Sequence, residues 1–499
     1  MSGLSRNALE KSFYAPIFAF SSLGVIAVIS GVSNYPDAAG GRVSLVFIIA
    51  GFALLMTIFP YLGNLRSVDL NKPSEVFTFS FISIIIFIFS QAVLYLISGT
   101  VGTFDSALLE STSGITTTAI SSLDPESLSS AVLVFRSLTQ WFGGLCALFL
   151  VFVATPISSG GDNPSAGYGP KIFSRRATRR MQEILLLYLG LTALTFLGLL
   201  VAGMGTFDSL SHAMTTSSTG GFSTRASSIA SFQSASIEWV LICGMFLGGM
   251  NLGILWWLCK RKISVIRSNN ELRLYLLMFL GGAMMFWLKG DFTGSFGSQS
   301  RDALFKMSSI FSTTGFTNQN WEFSSGISAI ALLVMATGGM AGSAGGGYGV
   351  HRLIELVKYL RRELTRKYNR QAVRKIKVSG EVLDERVLDK LQGFTAIFIF
   401  IVASGSFLLS LSKNSLTIVD AIAISLSAFV TAGPPITEAG LVTDFGVLGH
   451  ITLVVLMVIG RLSIFPAAFM MLKLAQILKI NIRSMYAVSY THLTLPTKA

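Results

Sequence analysis

Apolar residues along the chain gather into ten stretches, near 13–34, 43–64, 76–99, 129–155, 183–204, 236–259, 272–289, 326–343, 391–412 and 446–472. Each approaches or exceeds the about 20 residues that a helix needs to cross a bilayer, so the pattern predicts ten membrane-spanning helices. Some of these stretches are followed by a shorter, more polar segment, such as Phe104 to Ser113, Phe207 to Met214, and the residues around Arg301, Asp302 and Lys306. Such a segment is too short to span and predicts a re-entrant helix. Small and hydroxylated residues then follow in four places: Thr116-Thr117-Thr118-Ala119, Ser218-Thr219-Gly220-Gly221-Phe222-Ser223-Thr224, Ser312-Thr313-Thr314-Gly315-Phe316-Thr317 and Val430-Thr431-Ala432-Gly433-Pro434-Pro435.

Counted from Ala119 to Gly220, Gly315 and Gly433, the steps are 101 (220−119), 95 (315−220) and 118 (433−315). Recurrence at such intervals marks repeated structural units. The chain therefore divides into a transmembrane hairpin (1–75), pore repeats at 76–180, 181–270, 271–390 and 391–487, and a tail at 488–499. Repeat three is lengthened by a basic insert from Arg352 to Lys390, in which Leu353, Leu356, Val357 and Leu360 against Lys358, Arg361 and Arg362 predict an amphipathic helix. The tail follows no pattern of the rest and resembles translated adapter sequence. It is expected to be non-native, with the native terminus missing.

Composition confines the choice. At 52% hydrophobic, 13% charged and a mean hydropathy of +0.65, the chain departs from a soluble globule, which carries about 25% charge. The expected fold class is an all-α polytopic membrane protein with four repeats of span, short segment and span, plus the amino-terminal hairpin. The first apolar stretch has no small-residue cleavage site and is expected to be retained. Net charge is +13, and an inside amino terminus puts the basic loops at Lys171, Arg175, Arg176, Arg179 and Arg180, at Lys260 to Lys262 and in the insert on the cytoplasmic side. The excess sets orientation and does not call for nucleic acid. Cys146, Cys243 and Cys259 fall in or at the ends of spans and imply no disulfide framework.

Lipid offers backbone groups no partners, so irregular chain at membrane depth must be buried in protein or line a watery path. A monovalent cation can shed its water against a ring of backbone carbonyls, and glycine lets carbonyls turn without a Cβ clash. The candidate cation-filter residues are Thr118, Ala119, Thr219, Gly220, Thr314, Gly315, Ala432 and Gly433, with each short helix aiming its partly negative carboxyl end at the ion. Gly338, Gly339, Gly342, Gly345, Gly346, Gly347 and Gly349 lie within twelve positions. At a cost of about 1 kcal/mol each, they cannot sustain a helix. With Ser343 they predict a break in this apolar stretch, a tight helix-packing seam being the alternative. Arg461 lies deep in the last apolar stretch, where a charge marks a functional hypothesis. Facing the pore it would donate to that segment's carbonyls; the alternative is a buried structural pair. His212 reads as a hydrogen-bonded helix residue, since no partner has metal spacing.

These residues resemble the Trk/Ktr/HKT superfamily of potassium transporters, especially the longer Trk type with an extra amino-terminal hairpin. The likeness rests on Glu110 to Thr118, Arg136-Ser137-Leu138-Thr139-Gln140-Trp141-Phe142-Gly143-Gly144, His212-Ala213 through Thr224, Ile237-Glu238-Trp239, Gly338 to Ser343 and Ile459-Gly460-Arg461-Leu462. It implies four membrane-pore-membrane repeats around a pseudo-fourfold pore, potassium as the transported ion with no organic cofactor in this chain, a homodimer in the bacterial cytoplasmic (inner) membrane, cytosolic nucleotide-binding regulatory subunits, and a glycine-rich loop below the filter that acts as a gate. Sequence and resemblance differ at Ala119, where the family has Gly, at Gly349, near a family Lys, at Pro435, where the family tends to Gly, and at Ser463, often acidic. The alternative to potassium uptake is a sodium-permeable carrier or one coupled to protons or sodium, which usually shows acids inside its spans. Here Glu238 lies near a span's entrance and the other spans hold essentially none. No HExxH, nucleophile elbow or paired intramembrane carboxylates mark an enzyme.

Overall fold

The computed structural model describes residues 14–33, 41–56, 73–158, 177–289, 295–318, 325–369, 376–378, 381–383, 385–413, 415–433 and 445–462. The loop at Lys171, Arg175 and Arg176, the pair Pro434-Pro435, Ser463 and residues 488–499 lie outside them. The described residues are almost wholly helical. Helices α1 (Tyr14–Ser33) and α2 (Gly41–Met56) form the amino-terminal hairpin. Its helices meet closely because Gly31 and Gly51 leave room for the facing backbone. It packs on the first repeat, where Phe47 stacks on Phe135 with ring centroids 4.8 Å apart.

The same three-part unit then recurs four times. The first contains α3 (Pro73–Ile97), the short α4 (Phe104–Ile115) and α5 (Ser130–Ser158). The second contains α6 (Ala177–Val201), the short α7 (Thr206–Ser217), then α8 (Ala235–Gly248) and α9 (Leu252–Cys259), followed by the connecting α10 (Ile263–Ser268). The third has α11 (Asn270–Lys289), the short α12 (Phe296–Phe311) and α13 (Ser325–Thr337), and continues into α14 (Val350–Tyr368) and a hairpin of β1 (Lys377–Val378) and β2 (Glu381–Val382). The fourth has α15 (Glu385–Ser412), the short α16 (Ile418–Val430) and α17 (Val447–Leu462).

Packing closes these units into a ring. The second long helix of each unit lies against the short helix of the next: α5 on α7, α8 on α12, α13 on α16, and α17 back on α4. A buried tyrosine recurs at two of the joints, where Tyr188 donates to the Trp141 carbonyl (2.8 Å) and Tyr275 to that of Phe246 (3.0 Å). Hydroxyls that satisfy backbone carbonyls in this way fix helix to helix where lipid supplies no partner.

Two of the expected spans are broken. The stretch 236–259 bends by 104° between α8 and α9, because the chain at Gly249 to Asn251 leaves the helix to meet the glycine-rich segment Gly338 to Gly349. The stretch 326–343 ends as a helix at Thr337. Among the described residues five helices are long and apolar enough to cross a membrane, or six if the bent pair counts as one span. The remaining stretches hold shorter apolar helices.

The basic insert does contain a helix, α14, but its buried face is rotated from the expected one. Val350, Ile354, Glu355 and Arg362 are buried, whereas Val357, Leu360 and Leu364 are exposed. The reason is the small hairpin, whose Val378 clusters with Ile354, Ile376, Leu383 and Leu388. The Arg362 guanidinium is accommodated by Glu385, 2.6 Å away. Burial pushes the Glu355 carboxyl up to about 7, against a smaller opposing pull from Arg352. Its folded value lies above the ordinary 4.5, so its burial favours the protonated form and folding stability falls as pH rises through that window. Thermal melts between these limits should show the midpoint falling with pH, and Glu355→Gln should flatten that dependence. An unchanged slope in the variant would dismiss Glu355 as its source.

Candidate functional site

The carboxyl ends of the four short helices are buried: Ser111 to Ile115, Ser211 to Ser217, Met307 to Phe311 and Ala423 to Val430. Each leads into one of the hydroxyl-rich runs, and the runs share a backbone conformation. Left-handed φ occurs at two positions, two residues apart, in every one: Thr117 (56°) and Ala119 (60°), Thr219 (51°) and Gly221 (81°), Thr313 (60°) and Gly315 (80°), Thr431 (54°) and Gly433 (88°). A left-handed β-branched residue is a genuine outlier. Four threonines held that way at equivalent positions indicate strain imposed by the assembled fold.

This pattern corrects the register in the second repeat. Ala119, Gly315 and Gly433 correspond to Gly221, not to Gly220. The Gly220 carbonyl, moreover, accepts a hydrogen bond from Gln140 Nε2 (2.9 Å), so it faces the wall formed by α5. Gly433 also has its carbonyl engaged, by the Ser427 hydroxyl. Thr118, Gly220, Thr314 and Ala432 stand between the paired left-handed positions, and Thr219 corresponds to Thr117, Thr313 and Thr431.

The runs converge on one another. A Cβ built on Gly221 would lie 1.9 Å from the Thr314 carbonyl oxygen and 3.4 Å from Ala119 Cβ. One built on Gly433 would meet Gly315 Cα at 2.7 Å. Glycine is therefore required at 221 and 433 both for its φ and for the approach of neighbouring backbone. Ala119 is the exception, and a left-handed alanine costs about 1 kcal/mol. Ala119→Gly should relieve that strain, raising thermal stability by about 1 kcal/mol and raising the potassium-to-sodium permeability ratio. A ratio that stays the same or falls would separate Ala119 from ion discrimination.

Side chains on α5 support two runs at once. Arg136 Nε pairs with Glu110 (2.7 Å), its Nη2 donates to Ser121 Oγ (3.0 Å), and its guanidinium lies over the Phe222 ring at 4.1 Å. One turn on, Gln140 donates to Gly220 and accepts from the Phe222 N–H (3.1 Å). The motif residues Arg136 and Gln140 thus position the first and second runs. His212 bridges the Asp208 carbonyl (2.8 Å) and Ser223 Oγ (3.0 Å), as expected of a hydrogen-bonded helix residue.

The glycine-rich segment lies directly beneath. Gly338, Gly342, Gly347 and Gly349 all have positive φ, so no helix continues past Thr337. Gly346 N–H donates to Thr313 Oγ1 (2.9 Å), and a Cβ on Gly346 would strike the Val430 carbonyl at 2.1 Å. Gly345 lies close to the Ser312 carbonyl, while Gly347 folds back on Gly338 and Ser343 Oγ donates to Met340. The break between α8 and α9 receives the segment edge to edge. Met340 N–H donates to Gly249 (2.9 Å), Ala344 N–H to Gly248 (3.4 Å) and Leu252 N–H to Gly342 (3.1 Å), with Gly339 against the Gly249 carbonyl. From α17, Arg461 Nη1 donates to the Ala344 carbonyl (2.9 Å) and Nη2 reaches that of Gly143 (3.4 Å). Sequence reasoning missed Asn251 and Glu271, which hold Ala341. Asn251 lies inside the apolar stretch 236–259 and Glu271 at the edge of 272–289, and only the fold brings each to its partner.

A closed ring of helix–short helix–helix units with converging strained runs defines a polytopic membrane protein of the ion-translocating class. The sequence matches the family described as "Cation transport protein", TrkH, over residues 79–288 and 293–479, and the chain belongs to that family. It is 29% identical over 382 residues to the Trk system potassium uptake protein TrkH of Escherichia coli K12, covering 73% of this chain and 77% of that one. Against the TrkH of Halomonas elongata identity is 31% over 381 residues, or 72% and 77% of the two chains. The crystal structure of the potassium transporter TrkH from Vibrio parahaemolyticus superposes with a TM-score of 0.75 at 26% identity, covering 90% of this chain and 98% of that one.

Proposed function

We propose that this chain carries potassium across the bacterial cytoplasmic membrane, through a filter built from the four runs and gated by the glycine-rich segment beneath them. The observation that carries the reading is the fourfold recurrence of paired left-handed residues on converging loops. Reversing the peptide orientation at alternate residues lets neighbouring carbonyls face one axis, as a cation losing its hydration shell needs. The filter oxygens are then those of Thr118, Ala119, Gly221, Thr314, Gly315 and Ala432, the Gly220 and Gly433 carbonyls being turned to Gln140 and Ser427, with Thr117, Thr219, Thr313 and Thr431 at the cytoplasmic mouth. Gly338 to Gly349 obstructs the path below, and Arg461 holds it there while adding a fixed positive charge. The relatives' names as potassium uptake proteins support the substrate. Membership of a Trk system supports a homodimer and a cytosolic nucleotide-binding partner, for which the exposed Val357, Leu360 and Leu364 of α14 offer apolar surface.

Ala119 in place of glycine favours a second reading, in which sodium also passes. Uptake into liposomes holding the purified chain, with potassium or sodium as sole permeant cation, tests both. Potassium flux well above sodium flux, linear in driving force without a co-ion, supports selective conduction. Equal fluxes favour the second reading, and flux that requires a proton or sodium gradient would replace both by coupled transport.

A further inference from the structure

Resting on that gating reading, we infer that Glu271 and Asn251 form a clamp on Ala341 that holds the glycine-rich segment in its obstructing position. Both backbone polar groups of Ala341 are engaged by side chains from other elements. Its N–H donates to Glu271 Oε1 at 2.8 Å, and its carbonyl accepts from Asn251 Nδ2 at 2.5 Å. The two clamp residues lie in different repeats, Asn251 at the start of α9 and Glu271 in the first turn of α11. A third anchor, Arg461, holds the segment three residues further on at Ala344. The clamp thus fixes the front of the segment and Arg461 its middle.

Glu271 is fully buried, and among the described residues its second oxygen has no hydrogen-bond partner. A buried carboxyl group is costly without partners, and the groups beside this one belong to the segment and to α14. His351 Nδ1 lies 3.9 Å from Oε1, in the first turn of α14, whose amino-terminal end favours a negative group. Between Ala341 and His351 the Val350 N–H donates to the Gly339 carbonyl (3.3 Å). One carboxylate therefore touches the front of the segment and the helix that continues its far end, so a shift of α14 changes the surroundings of the group that pins Ala341. Asn251 is itself fixed, since its Oδ1 accepts from Gly253 N–H at 2.7 Å and orients the amide toward Ala341.

Removing the Glu271 acceptor leaves the part-buried Ala341 N–H without a partner, a loss that shifts a two-state equilibrium by about tenfold to hundredfold. Glu271→Ala should raise resting potassium flux in liposomes by about that factor, Asn251→Ala by less, and Glu271→Gln, which keeps an acceptor, should stay close to the parent. A second readout tracks the segment itself: Ala341→Cys should react slowly with a water-soluble thiol reagent added from the cytoplasmic side, and at least about tenfold faster when Glu271→Ala is added. A merely structural role would lower folded protein without changing the labelling rate of what remains. Shortening Gly338 to Gly349 serves as the comparison. If it raises flux while Glu271→Ala and Asn251→Ala change neither flux nor labelling, the clamp is wrong and the gate stands. Should shortening lower flux in folded protein, the gating reading falls and the clamp with it. Where Glu271→Ala does not fold, Asn251→Ala decides by the same two readouts.

Discussion

Gly221→Asp and Gly315→Asp should abolish selective cation flux while leaving membrane insertion intact. At Gly221 any side chain collides with the Thr314 carbonyl, since a Cβ there would lie 1.9 Å from the oxygen, and the residue sits at φ 81°. The left-handed penalty alone is about 1–2 kcal/mol, and the backbone of a neighbouring repeat must retreat as well. Gly315 shares the conformation at φ 80°, and its Cα faces Gly433 from the fourth repeat. An aspartate also brings a fixed charge to a ring whose neutral dipoles must release the ion as readily as they bind it. The rest of the fold depends on helix packing outside the ring, so each variant should be recovered from the membrane at normal yield. Selective potassium uptake in either variant would remove the runs from the conduction path.

Arg461→Ala should raise resting flux by about tenfold or more. Its guanidinium donates to the Ala344 carbonyl in the glycine-rich segment and reaches the Gly143 carbonyl on α5. Truncation removes both the anchor and a positive charge that opposes cation passage. Arg461→Lys keeps the charge but cannot reach two carbonyls with a planar fork, so it should fall between parent and alanine. A thermal midpoint that drops with no gain in flux would leave Arg461 as a packing residue.

Much of this arrangement was legible in the sequence because membranes write it there. Ten apolar stretches, the polar short segments and the small-residue runs reflect burial, length and hydrogen bonding, which act locally. The broken helix after Thr337 was likewise readable, since seven closely spaced glycines exclude a helix, whereas the cost of a buried charge marked Arg461 without deciding between the loop carbonyls it meets and a buried ion pair. The register of the second run was not readable. Gly220 and Gly221 are both small, and only contact with Thr314 and Gln140 decides which takes the left-handed conformation. The bend at Gly249 was hidden inside a continuous apolar stretch, because its partners Met340 and Ala344 come from another repeat. The buried face of α14 was misjudged for a related reason, as the β1–β2 hairpin that covers it is too short to leave a strand pattern. Glu271 was passed over as a boundary residue, though a carboxylate beside an apolar stretch can be buried when a loop folds over it.

The central claim is that four converging runs bind a monovalent cation with backbone oxygens. The most direct measurement is an anomalous-scattering map of crystals grown in thallium as a potassium substitute. The account predicts a peak on the axis shared by Thr117 to Ala119, Thr219 to Gly221, Thr313 to Gly315 and Thr431 to Gly433, above the glycine-rich segment. A map with no peak there in an otherwise ordered filter, or with its peak at a side-chain site such as Glu271, would contradict it.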